Sequence, residues 1–308
     1  MLTKAQAYRT MLTRGEFIVS PGVYDGYSAR LVEAAGFNSA ATSGAAVSNS
    51  ILGVDDIGVM GLTENLNHCR NIARSIDIPL TCDADTGYGN AVNVYHTTRH
   101  FEEAGVAGIN IEDQVSPKRC GHMSGKEVVP LDEMVKKIEA ACLARRDDAF
   151  VIVARTDALA VEGLEAALAR ARAYAAAGAD LVFPDAVASE AHIKRFVDAG
   201  VALSINMGFG IRKRPTTPLI PLAHLREWGV RRVSLPRMLP AAAIKGMSET
   251  LRVFKEAYEQ GIAVDRPDLV VGIEDIMTLM DYEGARDLER RVLPEAILQA
   301  KYERVVGE

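Results

Sequence analysis

Short apolar runs alternate with longer helical stretches eight times along this chain, and no other feature constrains the fold as strongly. The strand-like runs are Phe17–Ser20, Ser39–Thr42, Leu80–Asp83, Gly108–Glu112, Phe150–Ala154, Leu181–Pro184, Ala202–Asn206 and Arg232–Leu235. Between them lie stretches with helical periodicity: Ala29–Ala35, Thr63–Ser75, Val92–Ala104, Leu131–Arg146, Gly163–Ala177, Glu190–Ala199 and Leu219–Trp228. Ala241–Gln260 follows the eighth run. Several of these stretches stop at Ala-Gly, as in Ala104-Gly105 and Ala177-Gly178, where glycine supplies a left-handed cap. Serial βα units predict a parallel sheet, and eight of them close a (β/α)8 TIM-type barrel of the α/β class. A doubly wound open sheet competes with it. Its only glycine-rich candidate, Gly208-Phe209-Gly210, lacks a third glycine and runs into Arg212-Lys213-Arg214-Pro215 where a helix should begin.

The barrel is expected over residues 1–262 as the catalytic domain, with 263–308 as a C-terminal helical extension. In the extension, Ile273–Met280 and Gly284–Val306 read as helical, and Pro294 either kinks the second or starts a new piece. Leu288, Val292, Ile297, Leu298, Tyr302 and Val305 fall near helical spacing. That apolar face can lie on the chain's own barrel or on a partner subunit, and the spacing leaves both open.

A chain of 308 residues, 48% hydrophobic, can bury a core of this size. Its net charge of −6 and its lack of a basic stripe with interleaved aromatics argue against nucleic acid as a partner. No apolar run is long enough to span a bilayer, so no membrane role is expected. Met1–Arg14 is polar and does not read as a signal peptide. The four cysteines show neither a C-x-x-C pair nor zinc spacing, which fits reduced thiols in a cytoplasmic protein.

In a parallel barrel the chemistry sits at the C-terminal ends of the strands. The strand exits carry Tyr24 and Asp25, Ser43 and Gly44, Asp83 and Asp85, Glu112 and Asp113, Arg155 and Asp157, Asp185, and Asn206. One aspartate at a strand end is ordinary capping chemistry. A series of them in register is harder to assign to capping. Asp83 and Asp85 stand two apart at the end of an extended run, so their side chains are expected on one face. Paired carboxylates suit a hard, oxygen-seeking cation such as Mg²⁺, and Glu112 one strand over can join them. An anionic substrate in such a site needs cations, and Arg155 is a good carboxylate fork.

The run Lys118-Arg119-Cys120-Gly121-His122 places a thiol among two cations and an imidazole. Positive charge favours a thiolate, and a thiol poised in this way can exchange a proton with carbon.

These segments together carry a resemblance. Cys82-Asp83-Ala84-Asp85-Thr86-Gly87-Tyr88-Gly89, Ile111-Glu112-Asp113-Gln114, Pro117-Lys118-Arg119-Cys120-Gly121-His122 and Val153-Ala154-Arg155-Thr156-Asp157-Ala158 resemble the isocitrate lyase and phosphoenolpyruvate mutase superfamily over nearly the whole chain. Within it the 2-methylisocitrate lyases are the nearest branch, and the cysteine separates its carbon–carbon lyases from its phosphonate enzymes.

The resemblance implies a modified barrel in a homotetramer whose C-terminal helices swap between subunits. It implies Asp56, Asp83, Asp85 and Glu112 around a Mg²⁺ ion, with Mn²⁺ as a substitute. Ser43, Gly44 and Arg155 would bind the 2-oxo-acid end of a small carboxylate substrate. Asn206, Thr217 and Pro218 would lie near its other carboxylate. Cys120 would be the proton donor, with Lys118 and His122 beside it. The implied reaction cleaves a 2-hydroxy di- or tricarboxylate, such as 2-methylisocitrate or an alkylmalate, to a 2-oxo acid such as pyruvate plus a second carboxylate.

Three departures fall in the substrate pocket. Ala41 and Thr42 stand where the family carries a tyrosine, and Ala45 replaces a glycine. Asp185 replaces a glutamate. The segment from Asn206 to Thr217 is longer and carries Arg212, Lys213 and Arg214. With the tyrosine gone, the base is left open between Asp185 and a water on the metal. The departures also keep an oxaloacetate hydrolase or decarboxylase, or a 2,3-dimethylmalate lyase, in view. An inactive barrel that only binds is the alternative of another class.

Overall fold

The computed structural model describes residues 2–121, 123–209 and 216–302. They divide into two compact units, Met1–Ala243 and Ile244–Glu308. The first is the barrel. Its strands are β1 (Ile18–Val23), β2 (Ala40–Thr42), β3 (Leu80–Asp83), β4 (Gly108–Glu112), β5 (Val151–Thr156), β6 (Leu181–Pro184), β7 (Ser204–Asn206) and β8 (Arg232–Leu235). All the ladders are parallel, in the order β6-β5-β4-β3-β2-β1-β8-β7. A parallel bridge between Val182 and Leu203, with Val182 N–H donating to Ala202 at 2.9 Å, joins β6 to the β7 side and closes the ring.

The eight strands fall where the apolar runs predicted them, with shifts at the ends. β1 runs on to Val23, because Pro21 and Gly22, which read as breakers, stay in register with Leu235 and Ala41. Three described helices lie outside the expected set, one of them the single turn Ala158–Val161 after β5. Lys4–Thr13 is opened by a capping box in which Thr3 accepts from Gln6 N–H and Gln6 reaches back to Thr3. Gly44–Leu52 begins directly at the β2 exit, with Ser43 as its N-cap.

Alternation along each strand sorts the residues into two faces. Leu80, Cys82, Ile109, Ile111, Ile152 and Ala154 point outward into the main apolar layer shared with the surrounding helices. Inside the ring, the lower end is plugged by the first helix. Tyr8 and Met11 pack with Ile18, Ala107, Val151, Val153, Leu181 and Phe183. Higher up the interior turns polar. Arg232 on β8 is buried and reaches across to Thr81 on β3 at 2.8 Å and Asn110 on β4 at 3.4 Å. Arg155, Asp83 and Glu112 continue the inward rows above this floor.

The second unit contains the later part of the helix Met238–Gln260 and the helices Ile273–Leu279, Tyr282–Val292 and Glu295–Tyr302. The stretch expected to be helical from Gly284 is two helices, because Pro294 has no N–H to continue the first. Lys301 and Tyr302 both reach back to the Glu289 carboxylate. Val305 lies outside the described residues. No described helix is long and apolar enough to cross a membrane.

Candidate active site

A cleft with about 610 Å³ of empty space, part of it open to solvent, lies at the C-terminal mouth of the barrel. Ser43, Gly44, Asp56, Asp83, Cys120, Arg155, Asp185 and Asn206 all line it, so most of the residues singled out from the sequence meet at one place. Thr217 does not. It is buried, with its carbonyl accepting from Gly208 N–H at 3.1 Å, and is not on the cleft wall. His122, Arg212, Lys213 and Arg214 lie outside the described residues.

The carboxylates come together differently from the strand rule. β3 ends at Asp83, and Asp85 has a left-handed backbone with φ 48°. The two therefore meet through a turn and not through strand alternation. Asp85 N–H donates to Asp83 Oδ1 at 3.1 Å, and Thr42 Oγ1 holds the Asp83 N–H at 2.9 Å. Lys118 Nζ sits between Asp56 Oδ1 at 2.6 Å and Asp85 Oδ1 at 2.8 Å, all three side chains being buried. Burial works against the Lys118 charge, but Asp85, Glu112, Asp83 and Asp56 outweigh it and hold the ammonium well above its usual range. Burial pushes the Asp85 carboxyl up to about 6, with Lys118 pulling the other way.

Glu112 is 1% exposed, and burial raises its carboxyl well above the ordinary range despite Arg155. Its Oε2 lies 3.2 Å from Arg155, while Oε1 has no hydrogen-bond partner among the described residues. A buried carboxylate oxygen without a donor is costly, and a cation bound there would relieve it. The described residues contain no ready cage of three or more His, Cys, Asp or Glu ligands. Mg²⁺ does not require one, since it keeps waters or substrate oxygens and uses one or two carboxylates. The oxygen-only donors Asp83, Asp85 and Glu112 fit that pattern.

Arg155, the last residue but one of β5, sits among three carboxylates: Asp157 at 2.8 Å, Glu112 at 3.2 Å and Asp185 at 3.4 Å. Lys126 Nζ reinforces the cluster from Asp157 at 2.8 Å and from the carbonyl of Gly121 at 2.7 Å. Burial opposes the Asp157 charge, yet Arg155 and Lys126 hold its carboxyl down at about 2. Gly121 is required here. A Cβ at this position would lie 1.9 Å from Asp185 Oδ2 and 2.6 Å from Arg155.

Cys120 is 7% exposed on the cleft wall, its N–H donating to the Asp56 carbonyl at 2.9 Å. Arg237 Nη2 donates to its Sγ at 2.9 Å. Two of the strand-exit aspartates serve structure. Asp25 caps the helix Gly26–Ala34, and Asp113 accepts from Thr156, Tyr174 and the Asp157 N–H behind the sheet.

Sequence reasoning missed Arg237, Lys126, Arg232 and Asn110. Reading the eighth strand exit as the others were read leads to Pro236-Arg237, and the alternate polar residues of β3, β4 and β8 point to the polar floor. Nothing in the sequence marks Lys126.

Gly44 offers a direct test. A Cβ there would stand 2.4 Å from Asp83 Oδ2. Gly44→Ala should cost about 1–3 kcal/mol in urea unfolding by overpacking and should reduce turnover by displacing Asp83. Unchanged stability and turnover would show that the contact is slack.

A sequence model described as phosphoenolpyruvate phosphomutase matches residues 8–255. The chain is 38% identical over 289 residues to a probable 2-methylisocitrate lyase 2 of Corynebacterium glutamicum, covering 94% of this chain and 92% of that protein. It is 37% identical to a 2,3-dimethylmalate lyase of Eubacterium barkeri, covering 94% and 98%. Among solved structures, a 2,3-dimethylmalate lyase superposes with TM-score 0.87 at 34% identity, covering 96% of this chain and 97% of that one. Oxaloacetate acetylhydrolase with 3,3-difluorooxalacetate gives 0.86 at 31%, covering 96% and 98%. Phosphonopyruvate hydrolase with oxalate and Mg²⁺ gives 0.83 at 31%, covering 95% and 100%.

Proposed function

Because the chain belongs to the phosphoenolpyruvate phosphomutase family, within the isocitrate lyase superfamily, we propose that it is a carbon–carbon lyase that cleaves a 2-hydroxy di- or tricarboxylate to a 2-oxo acid and a second carboxylate. The observation that carries this reading is Cys120 on the wall of the same cleft as Asp83, Arg155 and Asp185. Relatives named as 2-methylisocitrate and 2,3-dimethylmalate lyases support it.

Asp83, Asp85 and Glu112 would hold a Mg²⁺ ion, which as a Lewis acid would polarise the hydroxyl and adjacent carboxylate of the substrate. The chain's own residues do the rest. The N-terminus of the helix Gly44–Leu52 presents backbone N–H groups to the cleft and, with Arg155, takes the carboxylate of the 2-oxo-acid half. Asp185 Oδ2 accepts no hydrogen bond among the described residues and lines the cleft, which suits it to remove the hydroxyl proton. The C–C bond then breaks in the retro-aldol sense. Its electrons pass to a carboxylate-stabilised carbanion, and the Cys120 thiol delivers its proton to that carbon. Lys118 holds Asp56 and Asp85 in place.

A panel of 2-hydroxy diacids and triacids, read by 2-oxo-acid release and product mass, tests the assignment. Release of a 2-oxo acid from one of them is expected. Oxalate and acetate from oxaloacetate would instead favour the hydrolase, and no turnover on any acid would favour a binding protein. The metal has a readout of its own. Mg²⁺ at about 100 times its Kd should stabilise the protein by ~2.7 kcal/mol, and Asp85→Asn should remove most of that gain in thermal melts. No shift in wild-type melting would count against the site.

A cytoplasmic homotetramer with exchanged C-terminal helices completes the proposal. None of the four cysteines, all among the described residues, forms a disulfide, which supports a reducing compartment. Met247, Leu251, Tyr258, Leu288, Val292 and Ile297 leave apolar surface exposed on the second unit, which supports a partner. Sedimentation at the mass of one chain would refute the tetramer.

A further inference from the structure

We infer that Asn65 is a positioning residue for the cation proposed at Asp83 and Asp85. It anchors the backbone turn that carries both carboxylates, and so gives the site its preference for a small ion of strict geometry. This rests on the proposed metal site and deepens it.

The turn after β3 is held differently on its two sides. Asp85 and Tyr88 have φ of 48° and 60°, with Gly87 between them at 83°. A left-handed backbone at a residue other than glycine costs free energy and persists only where its surroundings fix it. On the β4 side the main chain fixes it. Ala84 N–H donates to the Asn110 carbonyl and Glu112 N–H to the Asp85 carbonyl, both at 2.9 Å. On the β2 side the register ends where Ala41 faces Thr81. Beyond that point side chains replace the ladder. Thr42 Oγ1 accepts from the Asp83 N–H at 2.9 Å, and Asn65 Nδ2 donates to the Asp83 carbonyl at 2.7 Å.

Asn65 comes from the helix Leu62–Ser75 and is 1% exposed, on a buried face shared with Leu66, Cys69, Ile72 and Ala73. An amide in such surroundings is costly unless its hydrogen bonds are made. Its nitrogen gives one hydrogen to Asp83 and the other to the Tyr88 hydroxyl at 2.7 Å, and its Oδ1 accepts from Cys69 Sγ at 3.3 Å. A carbonyl can only accept, so the Asp83 contact fixes which way the amide faces. One side chain therefore clamps the turn at its start and near its end, with Asp85 in between. Asn65 does not line the cleft, and it acts from behind the wall through the two aspartates.

Mg²⁺ requires near-octahedral oxygens at about 2.0–2.1 Å, whereas Ca²⁺ accepts more ligands at longer and more variable distances. A turn free to rock would penalise Mg²⁺ more than Ca²⁺. A clamped turn favours the smaller ion.

The test uses the full chain and the variants Asn65→Leu, which nearly keeps the side chain's shape but removes its donors, Tyr88→Phe, and the two combined. Each is titrated calorimetrically with magnesium chloride and with calcium chloride, well below its melting temperature. Asn65→Leu should weaken Mg²⁺ by about fivefold or more, the worth of one lost hydrogen bond, and Ca²⁺ by less than about twofold. Tyr88→Phe should show a smaller loss of Mg²⁺, and the double variant should match Asn65→Leu, because Tyr88 acts through Asn65. A merely structural role would weaken both ions alike. An unchanged Mg²⁺/Ca²⁺ ratio in Asn65→Leu would therefore overturn the inference, as would wild-type Mg²⁺ affinity in that variant. Should Asn65→Leu not fold, Tyr88→Phe decides: a lower ratio upholds the clamp and an unchanged one overturns it. Absence of Mg²⁺ binding in the wild type would remove the metal site and the inference together. Wild-type inactivity on every 2-hydroxy acid, with the contrast between ions intact, would remove the lyase reading alone.

Discussion

Cys120→Ser should lower kcat by about 10²–10⁴-fold, the usual worth of a positioned proton donor. The substitution changes little in shape. A serine hydroxyl fits the space of the thiol and can still accept from Arg237, which now lies 2.9 Å from Sγ. What it loses is acidity, since an alkyl alcohol gives up a proton to carbon far less readily than a thiol does. Stability, Mg²⁺-dependent melting and oxalate binding should stay at wild-type levels, because the metal-facing carboxylates and Arg155 are untouched. Steady-state kinetics on the best acid of the panel, with calorimetry alongside, checks this. Full lyase activity in the serine variant would remove Cys120 from the mechanism and with it the main support for the proposed function.

Arg155→Met should destabilise the protein by about 3–5 kcal/mol, the cost of leaving buried charges without their partner. Arg155 touches Asp157, Glu112 and Asp185 at once, and a methionine satisfies none of them. The pH dependence follows from Asp157. Burial raises its carboxyl, but Arg155 and Lys126 hold it at about 2, below its unfolded value. Its stabilising contribution in the wild type is therefore complete above the unfolded pKa and is lost as the pH falls through about 2. Without Arg155 the carboxyl rises, and protonation in mild acid then relieves the variant. The stability gap between the two proteins should be widest at neutral pH and should narrow toward pH ~4. Urea titrations at several pH values read it directly. A gap that widens in acid would mean that Arg155 does not hold Asp157 down.

Much of this arrangement was legible in the sequence, for reasons visible in particular residues. Leu80–Asp83 and Gly108–Glu112 were found to the residue because their outward positions are uniformly apolar and each is bounded by helix signals. The residues read at the polar strand exits largely line one cleft at the barrel mouth, and Cys120 joins Asp83 and Arg155 there. The failures were local. Strand periodicity was carried one turn too far at Asp85, whose left-handed backbone nothing in an Ala-Asp-Thr-Gly run demands. The first helix hid behind a polar composition. Its capping box, Thr3 with Gln6, was the available signal, and Tyr8 and Met11 were the core residues it carried. Lys126 could not be foreseen, since it reaches Asp157 from a separate loop 31 positions earlier in the chain. Such contacts depend on how the chain returns through space.

The missing side chain at residue 121 has a further consequence. The backbone carrying the thiol is pressed so closely on Asp185 and Arg155 that not even a methyl group fits between them. Acid donor and anion anchor are thus one mechanical piece. A lineage drifting toward a bulkier substrate could not widen one side alone. Changes at 121, 155 and 185 would have to be inherited together.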